Sequence, residues 1–178
     1  VVLPLLLLLG AALLASGVHE AAAQDLSEGQ LRARFLLNFL RFTEWPPGAF
    51  ASTSAPVEFC VLGSGDPILG ALGDLEGARA GGHAIHVRGA VAAQDSGSCQ
   101  LLYVPDSELR RVVVAREAIG SRAVLIVGES EAVLDRGGMI ALRTADRRLA
   151  FVVNLGAARR AALDFSPQML HAAAEVMP

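Results

Sequence analysis

Three predominantly apolar runs constrain this chain more than any other feature: Val57 to Leu62, broken only by Glu58, the stretch "CQLLYVP" from Cys99, and "RAVLIVGES" from Arg122. A strand with no polar alternation has no face to give to water, so it must be covered on both sides, as in a parallel sheet flanked by helices. The segments between the runs agree. "GDPILGAL" reads as a short helix opened by Asp66 with Pro67 at its first position, and "DSELRRVVVAREA" as a longer one capped by Asp106 or Ser107. "GHAIHVRGA" is an alternating strand between them. Further on, "SEAVLDRGG" is a brief helix or turn, and "MIALRTADRRLAFVVNL" a hairpin turning near Asp146. "GAARRAALDFSPQMLHAAAEVM" supplies two short amphipathic helices separated around Ser166-Pro167. The expected fold is therefore α/β: a single domain over residues 24–178, with a mostly parallel sheet flanked by helices and a C-terminal antiparallel hairpin.

The first fifteen residues, "VVLPLLLLLGAALLA", carry no charge and lead to a small-x-small cleavage pattern before Gln24. This predicts a signal peptide over residues 1–23 and export to the periplasm. The alternative is a retained anchor, but the apolar run is shorter than the ~20 residues a spanning helix requires. In an exported chain the two cysteines, Cys60 and Cys99, read as a disulfide. First and third strands of such sheets are often neighbours, which would bring the pair within reach. Two buried thiols in separate strands is the other reading.

Composition removes whole classes of function. The formal charge is -3, and all 15 basic residues are Arg. Nucleic acid is not an expected partner. With no Lys, Schiff-base and P-loop chemistry are excluded. After the first strand, "GSGDPILG" lacks both the third Gly of a dinucleotide fingerprint and the Lys of a P-loop, leaving a helix N-terminus where a small anion could sit. His83 and His86 lie three apart on a strand, hence on opposite faces, so no metal site is expected. No nucleophile elbow is present. The expectation is a protein without cofactor, metal or catalytic residues.

From Leu26 to Glu44 the pattern is helical, with Asp25 or Ser27 as cap and Pro46-Pro47 as terminator. Leu31, Phe35, Phe39 and Phe42 fall on one stripe and Leu36, Leu37 and Leu40 roughly opposite. The stretch from Arg32 to Phe50 holds four of the seven Phe and the only Trp, Trp45. Asn38 falls within the aromatic stripe, where a buried amide needs partners. Arg34, Asn38 and Arg41 make a polar ridge suited to a carboxylate, a phosphate or an acidic partner surface. Trp, Phe and Arg dominate binding hot spots; the alternative is that the rings simply fill the core.

"RARFLLNFLRFTEWP", "FCVLGSGDPILGAL" and "GGMIALRTADRRLAFVVNLGAARRAALDFSPQMLHAA" together resemble the YfiR-like family of small exported bacterial proteins. The matching positions are Phe35, Asn38, Phe39, Phe42, Trp45 and Pro46; Cys60; Gly137 and Gly138; Phe151 and Asn154; and Ser166, Met169 and Leu170. The resemblance implies a periplasmic α/β protein, often a homodimer, that represses an inner-membrane diguanylate cyclase by contacting its periplasmic sensor domain. Cyclic di-GMP and biofilm formation would respond to that contact. Other members accompany sensor histidine kinases. The family's Cys pair corresponds to Cys60 and Cys99, and a second pair found in some members is missing. Asn154 joins Arg34, Asn38, Arg41 and Trp45 as the expected partner- or ligand-binding set. A small-molecule binding module, with its site at the strand carboxyl ends and feeding a membrane sensor kinase or transporter, is the second reading.

Overall fold

The apolar runs form the centre of the sheet in a computed structural model that describes residues 26–64, 66–145 and 148–178. The predicted leader, residues 1–23, lies outside the described residues. In chain order the elements are α1 (Glu28–Phe42), β1 (Thr43–Glu44), β2 (Val57–Leu62), α2 (Ile68–Leu72), β3 (Arg79–Ala80), β4 (His83–Val91), β5 (Leu101–Val104), α3 (Val112–Ile119), β6 (Leu125–Gly128), β7 (Ile140–Ala145), β8 (Arg148–Asn154), α4 (Leu155–Arg160), β9 (Asp164–Phe165), α5 (Pro167–Ala172) and β10 (Glu175–Met177). Every residue of β5 and β6 is buried, as their lack of alternation requires.

The main sheet runs β10-β8-β7-β6-β5-β2-β4-β3. Its core of β4, β2, β5, β6 and β7 is parallel, and β7 and β8 form the predicted antiparallel hairpin. The hairpin's turn, near Asp146, is not among the described residues. From β2 the chain adds β4 on one side and then crosses back to place β5 on the other. The direction of winding thus reverses between β2 and β5, at the point where open α/β sheets leave a crevice at their carboxyl ends.

Period-two alternation along each central strand divides the core. Phe59, Val61, Leu101, Tyr103, Leu125 and Val127 face a layer containing α1 and α2. Cys60, Leu62, Leu102, Val104 and Ile126 face Val112, Ala115 and Ile119 of α3. On that second face Cys60 and Cys99 form a disulfide, with Cα atoms 5.9 Å apart. The β2–β5 adjacency brings the two cysteines together, because Cys60 pairs in register with Leu102, three residues past Cys99.

Helix α1 opens with a capping box: the Ser27 hydroxyl accepts from the Gln30 N–H, and the Gln30 side chain accepts from the Ser27 N–H. It packs on the sheet through Ala33, Leu36, Phe39 and Leu40, a line between the two predicted stripes. Each large side chain buried there contributes roughly 1.5–3 kcal/mol. Asn38, expected within the buried aromatic stripe, is exposed, so its amide is open to solvent.

Three local expectations are corrected. Neither Asp106 nor Ser107 caps α3; residues 106–111 form a 3-10 turn, and the Asp106 carboxylate accepts from the Ser130 hydroxyl at 2.7 Å. The helical reading of the last residues fails at Ala173, where the backbone becomes extended and Glu175–Met177 pairs with β8. There a free strand edge outweighs the helix propensity of alanine. The predicted anion position at the start of α2 is also closed. Asp66 Oδ1 accepts from the Ile68 N–H at 2.8 Å and places a carboxylate where the anion would sit.

The Gly137-Gly138 pair has a geometric cause. Gly137 ends the 3-10 turn at φ +85°, in the left-handed region, and a Cβ on Gly138 would stand 2.9 Å from the Val133 carbonyl oxygen.

Candidate functional site

The aromatic residues separate into a buried trio and a surface corner. Phe35 and Phe39 of α1 meet Phe151 of β8, with centroids 6.0 and 5.0 Å from it. Beyond them α1 stops at Thr43, whose hydroxyl donates to the Phe39 carbonyl at 2.6 Å. The short β1–β9 ladder then fixes the exit direction. Trp45 follows, half-buried, with its indole edge-on to Phe50 at 5.6 Å. Phe50 in turn stacks on His83 of β4. Residues 46–56 between Trp45 and β2 are held at three points. The Ala49 N–H donates to the Pro46 carbonyl, the Gln100 amide donates to the Ala49 carbonyl at 3.1 Å, and His83 Nδ1 lies 2.6 Å from the Ala55 carbonyl oxygen. The result is a hollow of about 560 Å³ lined by Trp45, Pro46, Pro47, Phe50 and His83.

Arg34, Asn38 and Arg41 are exposed along one flank of α1, so the structure brings these three together as a ridge. Arg41 Nε also donates to the Arg79 carbonyl at 3.2 Å, tying the ridge to β3 beside the hollow. Asn154 stands apart. It ends β8, and its side-chain oxygen accepts from the Ala157 N–H at 2.8 Å, capping α4. His86, separated from His83 by the strand's alternation, faces the Glu58 carboxylate at 3.2 Å.

A second cavity, of about 720 Å³, opens at the other end of α1, over the carboxyl ends of β2, β5 and β6. Arg32 is its central group. Its guanidinium donates to Glu28 at 2.8 Å and to Glu129 at 3.3 Å. The other Glu129 oxygen accepts from the Asp106 N–H at 3.0 Å, which joins α1 to the turns after β5 and β6. Tyr103, 1% exposed, reaches this cavity from β5. Burial, reinforced by the Glu129 charge, pushes the Tyr103 phenol well above its ordinary value, and Arg32 only partly opposes this. Burial pulls the Arg32 guanidinium down, but Glu28, Tyr103 and Glu129 more than restore it, so it stays charged. Asp66 and Asp74 add two more carboxyl groups to the lining.

Phe50 and His83 belong to the aromatic corner, and Arg32, Tyr103 and Glu129 to the cavity, yet periodicity singles out none of them. The signal that could have found the second set is positional: Tyr103 is the penultimate residue of one apolar run, and Glu129 follows another. Among the described residues no group of three or more His, Cys, Asp and Glu side chains could hold a metal ion. No helix among them is long and apolar enough to cross a membrane.

No curated protein matches the chain. Among solved structures it is similar to a conserved domain protein from Vibrio cholerae O1 biovar El Tor, with a TM-score of 0.58 and 12% identity, over 85% of this chain and 61% of that one. It is also similar to an ABC domain in complex with L-Trp from Streptococcus pneumonia, with a TM-score of 0.51 and 12% identity, over 67% of this chain and 55% of that one. The chain thus spans less than two thirds of either structure, and at such identity the likeness is one of fold. A family comparison is more specific, matching residues 29–174 to the YfiR/HmsC-like family. That span runs from the first turn of α1 to the start of β10 and includes the aromatic helix, the disulfide and the Gly-Gly turn, so the chain belongs to the YfiR/HmsC-like family.

Proposed function

We propose that this chain is an exported regulatory protein that binds the periplasmic sensor domain of an inner-membrane signalling enzyme of the diguanylate cyclase type and represses it, without catalysis of its own. The observation that carries this reading is the half-exposed aromatic corner of Trp45, Phe50 and His83 beside the exposed ridge of Arg34, Asn38 and Arg41. Rings that can be desolvated next to guanidinium groups are the composition of binding hot spots. Trp45 is the anchor, the ridge meets acidic groups of the partner, and Asn154 contributes by fixing α4. The disulfide supports an oxidising compartment, reached by cleavage of the leader before Gln24. The acting form is a homodimer. The test is genetic: loss of this protein should raise cyclic di-GMP only while the partner cyclase gene is present. An equal rise without that gene would remove the repressor reading.

The cavity at the strand carboxyl ends favours a second reading, a small-molecule binding module that feeds a membrane sensor kinase or transporter. One solved structure of similar fold is described in complex with L-Trp. A ligand-dependent rise in melting temperature without any protein partner would support this reading.

A further inference from the structure

We infer that the hollow between the last turns of α3 and α4, at the amino ends of β6 and β7, binds a phosphate group through Arg116, Arg122 and Arg160. It lies at the opposite end of the sheet from the cavity around Arg32, and the inference is independent of both functional readings above. Its volume is about 130 Å³. That is below the ~300 Å³ at which pockets for larger organic ligands begin, and it suits a single oxyanion group.

Three guanidinium groups reach this hollow from three separate elements. Arg116 comes from the last turn of α3, Arg122 from the turn leading into β6, and Arg160 from the last turn of α4. No carboxylate side chain lines the hollow, and among the described residues none of the three arginines forms an ion pair. A cation at a helix's carboxyl end is favourable in itself, which accounts for Arg116 and Arg160 one at a time. It does not account for Arg122, nor for the meeting of three like charges that repel one another. Two of the three are also held in place before any ligand arrives. Arg116 Nη1 donates to the Arg136 carbonyl at 3.3 Å, and Arg122 Nη1 to the Ala118 carbonyl at 3.0 Å. Each of these guanidinium groups lies over a glycine: a Cβ on Gly137 would stand 2.7 Å from Arg116 Cζ, and one on Gly97 would collide with Arg122 Nη1. A side chain at either position would displace the charge. The carbonyl contacts occupy only part of each five-donor fork, so N–H groups remain for a ligand. Donors on three sides match the tetrahedral oxygens of a phosphate better than the planar pair of a carboxylate.

The test is calorimetric titration of the purified protein, in a buffer free of phosphate, with inorganic phosphate and with succinate. It is paired with co-sedimentation on phosphatidylglycerol vesicles, with phosphatidylcholine vesicles as the neutral reference. Phosphate should bind, and more tightly than succinate. The double variant Arg116→Gln, Arg160→Gln should weaken that binding at least about tenfold, because it removes two charge-assisted partners. Both residues are exposed, so the melting temperature should hold while binding is lost. Arg122→Gln alone should show a loss in the same direction, which guards against a folding defect in the double variant. Arg159→Gln, exposed on α4 outside the lining, should leave binding as it was. Binding of inorganic phosphate assigns the site to a free anion, and binding of phosphatidylglycerol vesicles alone assigns it to a lipid headgroup; either result, lost in the double variant, upholds the site. Binding that the double variant leaves intact, or that Arg159→Gln weakens equally, would overturn it. Succinate binding tighter than phosphate would overturn the phosphate assignment. If neither phosphate up to about 10 mM nor the phosphatidylglycerol vesicles bind, the inference falls.

Discussion

The imidazole of His83 lies flat against the ring of Phe50, with centroids 3.9 Å apart and planes 10° apart. Its Nδ1 also meets the Ala55 carbonyl, so one side chain of β4 holds both the ring and the backbone of the 46–56 segment. With Trp45 edge-on to Phe50, the corner is preorganised and ordering it on contact forfeits little entropy.

Trp45→Ala is expected to weaken binding to the membrane partner's periplasmic domain by at least about tenfold, as loss of a hot-spot ring does. Because the indole is only half-buried, unfolding free energy should drop by about 1–2 kcal/mol, less than for a core ring. Affinity titration and urea denaturation of the same variant check this. A large loss of stability with unchanged affinity would assign Trp45 to the core instead.

Non-reducing mass mapping should recover Cys60 linked to Cys99 and no free thiol. The bridge spans 39 residues of sequence, so replacing both cysteines with Ala should lower stability by roughly 3–4 kcal/mol through the unfolded chain's regained freedom. Denaturant midpoints with and without reductant measure the same quantity in the unmodified protein.

Tyr103 is the chain's single tyrosine, so its ionisation can be read directly by ultraviolet absorbance. Burial and the Glu129 charge raise the folded-state value above the ordinary 10.0. The folded protein therefore holds this proton more tightly than the unfolded chain. Its contribution to stability is complete below about pH 10 and is lost as pH rises from there towards the folded value. Absorbance should show no phenolate until the protein approaches alkaline unfolding; a reversible native titration near pH 10 would contradict the buried placement.

Gly128→Ala places a Cβ 2.3 Å from the Val133 side chain at the buried end of β6. Such overpacking is expected to destabilise by about 1–3 kcal/mol, measurable as a lower denaturation midpoint. Gly70→Ala, where an added Cβ meets nothing within 4 Å, should be nearly neutral or slightly stabilising in α2.

Sheet class and the bounds of β2 were legible in the chain because each depends on neighbours in sequence. Val57–Leu62 is apolar except for Glu58. The helix expected through Glu44 stops at Phe42 instead, because Thr43–Glu44 pairs with β9 before Pro46-Pro47 is reached. The ridge of Arg34, Asn38 and Arg41 was equally local, since three residues at helical spacing share a flank wherever the helix docks. The exposure of Asn38 was not, because the buried line runs through Ala33, Leu36 and Leu40, between two stripes of similar hydrophobicity. Only contact with the sheet chose between them.

By itself the sequence determined a parallel α/β domain and an aromatic-rich first helix. Those follow from the periodicity of hydrophobic residues and from the backbone limits of proline and glycine, which act over a few residues. Tertiary structure alone decided that Phe50 and His83, 33 residues apart in number, stack beneath Trp45, and that Glu28, Asp66 and Glu129 share one cavity around Arg32. Such groupings depend on strand order and on where the sheet reverses its winding. No local pattern encodes that reversal, because it is the burial of both sheet faces at once that selects it.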